Sequence, residues 1–111
     1  MTSKDHLLSS VLRLADALES VDKLGEYFEV PTDDAINTLL ESVLDVDYIY
    51  NSRGELLGAE ITMTCGGPNV WIETRYSKIV GTWGSDRFER SYEDGVGLDE
   101  LFEDMSPMRK V

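Results

Sequence analysis

The chain predicts an α+β fold: two N-terminal helices, an antiparallel sheet of four or five strands and a short C-terminal helix, all in one domain of 111 residues. Three observations predict it. Apolar residues recur at three-and-four spacing through residues 1–45, the period changes to two over 46–92, and helical spacing returns over 98–105. A chain of this length, 41% hydrophobic, suffices for one modest core.

Leu7, Leu8, Val11, Leu14, Ala15, Leu18 and Val21 form the apolar stripe of the first helix, with Arg13, Asp16 and Glu19 between them and Thr2 or Ser3 as its cap. Gly25 and Pro31 interrupt the pattern. Thr32 or Asp33 then caps a second helix whose buried face is Ala35, Ile36, Leu39, Leu40 and Val43. From Val46 the alternation Val46, Tyr48, Tyr50 marks a strand, and Asn51–Glu55 a turn. Leu57, Ala59, Ile61, Met63 and Cys65 follow as the core side of the next strand, with Gly58, Glu60, Thr62 and Thr64 on its polar side. Residues 70–74, 79–83 and 87–92 are further β-prone runs, so a meander is the economical arrangement. Leu98, Leu101, Phe102 and Met105 sit at i, i+3, i+4 and i+7 of the last helix, and the residues from Ser106 onward read as a frayed tail.

The stretch Thr64–Trp71, TCGGPNVW, holds the only cysteine and one of two tryptophans and has the look of an active-site loop. Its glycines, proline and asparagine are also the residues of a tight reversal, and that is the reading the meander requires. A nucleophilic Cys65 needs a nearby base, and the single histidine, His6, lies beside the apolar stripe of the first helix. Cys65 is therefore expected as a small core residue. The sequence contains no nucleophile elbow, phosphate-cradling loop or zinc-protease helix motif. Asp33 with Asp34, and Asp45 with Asp47, lack the glycine and distal glutamate of an EF-hand loop. The expectation is a non-enzymatic protein with no catalytic residues, no metal site and no cofactor.

Charge is the most informative property. Twenty-two acidic residues against ten basic ones give a formal net charge of −12, which argues against direct binding of nucleic acid or of an anionic membrane and for a basic partner. One cysteine precludes an internal disulfide, and charges interrupt the N-terminal apolar run, so the sequence predicts a soluble, unprocessed cytoplasmic protein. Acidic side chains crowd between Asp16 and Glu60 and again between Asp86 and Asp104. The candidate partner-binding carboxylates are Asp33, Asp34, Asp45, Asp47, Glu93, Asp94, Asp99, Glu100, Glu103 and Asp104. The plainer role of the same charges is solubility. An alternative mode of binding runs through exposed aromatics, with Tyr27, Tyr76 and Trp83 as candidates. Trp71 and Trp83 are read first as sheet core, since so acidic a surface repels a stacking nucleic acid.

The string GGPNVWIETRYSKIVGTWGSD resembles a motif of small acidic proteins carried by mobile genetic elements: Gly-Gly-Pro-Asn, an aromatic residue, then Gly-x-Trp-Gly. It covers under a fifth of the chain. The resemblance implies a phage- or plasmid-type setting. By analogy with anti-CRISPR and anti-restriction proteins from such settings, it implies an inhibitor that imitates the charge of DNA on the basic channel of an RNA-guided nuclease. The alternative it leaves open is a structural or regulatory interaction module of a phage or conjugative element.

Overall fold

The computed structural model describes residues 3–106, ordered as α1 (Ser3–Ala17), α2 (Val21–Phe28), α3 (Ala35–Ser42), β1 (Asp45–Tyr50), β2 (Leu56–Thr64), β3 (Asn69–Glu73), β4 (Lys78–Trp83), β5 (Asp86–Ser91) and α4 (Leu98–Asp104). Short 3-10 turns at Thr32–Asp34 and Thr74–Tyr76 precede α3 and β4. The five strands form one antiparallel meander in the order β1-β2-β3-β4-β5. The α+β class and the five-stranded sheet are as the sequence predicts. No helix among the described residues is long and apolar enough to cross a membrane.

Register decides which face is buried. Ile61 stands opposite Ile72, and Ile72 opposite Ile79, so three fully buried isoleucines form a row across β2, β3 and β4. The helices gather on that face. Gly81 on β4 gives α1 its seat: a Cβ there would lie 2.6 Å from Val11 Cγ2 and 2.9 Å from Leu7 Cδ1, so only glycine lets the helix approach this closely. Leu7, Val11, Leu14 and Leu18 of the α1 stripe, Leu24 of α2, Ala35 and Leu39 of α3, and Leu98 and Phe102 of α4 complete one core cluster. On the other face Trp71 stands between Thr62 and Val80, its indole N–H donating to Glu73 at 2.7 Å and Arg87 lying 5.8 Å from the ring centre. Val80 is fully buried on this face.

The structure corrects several expectations. The first apolar stripe is two helices, not one: α1 stops at Ala17, and the Ser20 hydroxyl accepts from Lys23 N–H at 3.1 Å to cap α2. Gly25 lies inside α2, where a Cβ would come 3.0 Å from the Val30 carbonyl oxygen; close approach, not interruption, is its role. Neither Thr32 nor Asp33 caps α3, and the Thr32 hydroxyl donates to Asp22 at 2.9 Å instead. Ser3 is already helical, and a cap from Thr2 lies outside the described residues. Leu8, Leu57 and Met105, all assigned to apolar faces, are exposed at 38%, 37% and 49%.

Cys65 is exposed as well. The alternation of β2 does not reach Cys65: the ladder shifts register between Thr62 and Thr64, the strand ends at Thr64, and Cys65 belongs to the turn. There the Thr64 hydroxyl donates to the Pro68 carbonyl at 2.8 Å and Gly66 N–H to Asn69 Oδ1 at 3.2 Å, so TCGGPNVW builds a hairpin reversal. Ser106, taken as the start of a frayed tail, is instead buried and hydrogen-bonded to the Tyr50 hydroxyl. The rest of that tail lies outside the described residues.

Burial of Leu98 and Phe102 makes α4 part of the core. Deleting residues 98–111 is expected to abolish the cooperative denaturant transition, whereas Cys65→Ala should shift stability by less than about 0.5 kcal/mol, as for other exposed positions. Denaturant melts of the two variants check this; an unchanged midpoint in the truncated chain would show α4 to be peripheral.

Candidate functional site

The uneven placement of basic residues defines the candidate site. No lysine or arginine occurs between Leu24 and Ser52, nor between Ser91 and Ser106. The fold brings these two stretches together, for Ile36 of α3 shares a shallow socket of about 240 Å³ with Val96, Gly97, Glu100, Leu101 and Asp104. Asp33 and Asp34 lie within a helical turn of Ile36 and are exposed. This acidic end is thus built from α3, α4 and the loop before α4.

Several ion pairs are formed on α2 and the sheet. Lys23 holds Asp16 at 3.3 Å and also Glu19; Arg53 holds Glu55 at 3.1 Å. Lys78 holds Glu89 at 2.6 Å and Glu73 at 3.8 Å, and Arg87 holds Glu89 at 3.2 Å. Pairing lowers the Glu89 carboxyl, first through Lys78 and then Arg87, and raises Lys78 through Glu89. Among the described residues, Asp33, Asp34, Glu100 and Glu103 have no ion-pair partner. Exposed pairs contribute only about 0–1 kcal/mol each, so the relevance of this contrast is the local field rather than stability.

The ten candidate carboxylates fall into distinct settings. Glu100 and Asp104 line the socket, and Asp33 and Asp34 lie in the turn that leads into α3 just ahead of Ile36. Asp99 and Glu103 lie on the other flank of α4, in a groove shared with Tyr48, Leu57 and Arg75. Asp45 and Asp47 are exposed on edge strand β1, paired with Thr62 and Glu60, and so belong to the sheet face away from the helices. Glu93 borders a third groove, between α1 and β5, with Leu12, Asp16 and Glu19.

Asp94 has a structural job. Its carboxylate accepts from the backbone N–H groups of Gly97, Leu98 and Asp99 at 2.9, 2.7 and 3.1 Å, satisfying the first amides of α4. Gly95 next to it donates to the Leu18 carbonyl at 3.0 Å, and a Cβ at this position would fall 1.6 Å from the Glu19 carbonyl oxygen. The loop is therefore pinned to the α1–α2 turn. Burial, then Asp94, then Glu103 raise the Asp99 carboxyl above its usual value. Tyr92 is buried with a hydroxyl that has no hydrogen-bond partner among the described residues; burial first, then Asp94 and Asp99, push its ionisation far above the ordinary tyrosine range.

Of the aromatic candidates, Tyr76 alone is well exposed, at 60%, with Arg75 and Lys78 at 5.2 and 5.6 Å from its ring centre. Tyr27 packs edge-on against Phe28, under Arg13, and Trp83 packs on the core. His6 is exposed on α1. No group of three or more His, Cys, Asp or Glu among the described residues is placed to hold a metal ion. Sequence reasoning missed Ile36, Val96 and Leu101 as a surface feature: Ile36 and Leu101 fall on core-type spacings, and Val96 stands in a loop with no period to place it. The chain matches no protein-family model, no curated protein and no solved structure.

A carboxyl raised in the fold contributes stability that is present below its unfolded value and lost as pH rises through its folded one. Asp99 is thus expected to titrate above 3.8 in the folded chain, and Asp94→Asn to bring it part of the way back, burial being the larger cause. NMR titration of the Asp99 carboxyl carbon checks this; a value at or below 3.8 would contradict the assigned environment.

Proposed function

We propose that the protein is a non-enzymatic inhibitor that binds a basic protein surface through its acidic end, and that the surface it blocks is the nucleic-acid channel of a nuclease, most specifically an RNA-guided one. The observation that carries this reading is the meeting of two stretches free of lysine and arginine, Leu24–Ser52 and Ser91–Ser106, at a socket that Ile36 shares with Glu100 and Asp104, with Asp33 and Asp34 in the turn that leads into Ile36. Carboxylates held on helices and a capped loop present negative charge with little reorganisation, and a channel of lysines and arginines attracts it over a Debye length of about 10 Å. The protein takes the place of DNA in the channel and does no chemistry, and it works where such a nuclease works, in the cytoplasm.

A second reading, an interaction module acting through aromatics, is favoured by one feature: Tyr76 is exposed between two cations. The two readings differ in salt dependence, because an electrostatic interface releases its affinity to screening and a desolvated aromatic anchor does not.

The test is inhibition of DNA cleavage by a panel of guide-loaded nucleases, with affinity measured against salt. Inhibition should compete with DNA, weaken by about tenfold or more between about 50 and 200 mM salt, and fall steeply when Asp33, Asp34 and Glu100 are changed together to Lys; single changes should do little. A complex that survives about 0.5 M salt and the triple reversal, yet is lost on Tyr76→Ala, would replace the first reading with the second.

A further inference from the structure

We propose that the socket between α3 and α4 is an anchor site for one aliphatic side chain flanked by lysines or arginines on a partner polypeptide; this rests on the reading of the acidic end as the docking surface and adds the chemistry that makes it selective. The socket floor is apolar and half-exposed, formed by Ile36, Val96 and Leu101, and Gly97 contributes no side chain to fill it. Its rim is acidic. Glu100 and Asp104 line it from α4, and the exposed Asp33 and Asp34 lie in the turn that leads into Ile36. Arg75 borders Asp99 and Glu103 on the opposite flank of α4, outside the lining of the socket.

Charge complementarity commits the occupant. A nucleic acid or anionic lipid is repelled by the rim, and a second copy of this chain, formally −12, brings the same sign of charge. A bare polycation satisfies the rim and leaves the apolar floor wet. A basic segment with one leucine, isoleucine or methionine satisfies both, its lysine or arginine stems covering the edges of the socket while their charges meet the carboxylates. Affinity resting on exposed ion pairs alone discriminates poorly among basic surfaces, whereas a desolvated apolar anchor inside a charged ring concentrates binding energy at one point. Imitation of phosphate alone needs no such floor.

The test uses the full chain and two acetylated, amidated peptides, KKLKK and KKSKK, followed by amide NMR titration. KKLKK should bind saturably and shift the amides of Ile36, Val96, Gly97 and Leu101, with affinity about tenfold above that of KKSKK. Val96→Thr, nearly isosteric and so expected to fold, should shrink that ratio; Asp33→Lys with Asp34→Lys should weaken both peptides alike and leave it intact. Equal affinities would overturn the anchor while leaving the acidic end as a docking surface. Binding of neither peptide, or tighter binding of spermine than of KKLKK, would overturn the anchor, and shifts centred elsewhere would overturn both the anchor and the surface.

Discussion

The structure depends on how closely the loop before α4 is held to the turn between α1 and α2. Gly95 donates to the Leu18 carbonyl at 3.0 Å and leaves no room for a Cβ, which would fall 1.6 Å from the Glu19 carbonyl oxygen. On one side of it Tyr92 N–H donates to the Ser77 carbonyl at 3.0 Å; on the other Asp94 caps α4 with three hydrogen bonds. Seven residues, Tyr92 to Leu98, are thereby fixed against α1, the start of β4 and the core. From that fixation follows the position of α4, and from α4 the socket and its acidic rim. The same loop carries a cost, since burial first and then the neighbouring carboxylates of Asp94 and Glu103 raise the Asp99 carboxyl.

Ion pairs are formed on α2 and on the sheet. Lys23 meets carboxylates among the helices, and Lys78 and Arg87 meet Glu89 on the sheet face opposite them, where Arg87 also lies near the Trp71 ring and Val80 is buried. The stretches that build the acidic end, Leu24–Ser52 and Ser91–Ser106, carry no lysine or arginine of their own. Charge repulsion that destabilises a small domain is tolerated where the scaffold is firm: α4 puts Leu98 and Phe102 into the core, and the Ile61–Ile72–Ile79 row fixes the sheet beneath. That arrangement is the physical basis of the proposal that the end docks on a basic partner.

Much of this architecture was legible in the periodicity, and the departures have definite causes. Leu18, Val21 and Leu24 continue helical spacing across Ser20, so the break between α1 and α2 is invisible to periodicity and is marked only by the serine cap. Cys65 and Met105 each extend a correct pattern one residue past the end of its element. Leu8 is exposed because α1 turns a single face to the sheet, over Gly81. The acids were legible as a population but not as groups: Asp45 and Asp47 go to the far sheet face, Asp94 is consumed by capping, and Glu100 and Asp104 line the socket that Ile36, next to Asp33 and Asp34 in sequence, shares with α4. That meeting depends on tertiary packing of α3 against the loop at Val96, which no local pattern encodes.

Rigidity of the acidic end is the central claim, and native-state hydrogen exchange of individual amides measures it most directly. If Gly95 and Asp94 lock α4 into the fold, the amides of Leu101 and Phe102 exchange only through the opening that also exposes Ile72 and Ile79, with the same free energy and the same denaturant dependence. Exchange of the α4 amides by a separate, low-energy opening, while Ile72 and Ile79 stay protected, would contradict the account and turn the acidic end into a loosely attached helix.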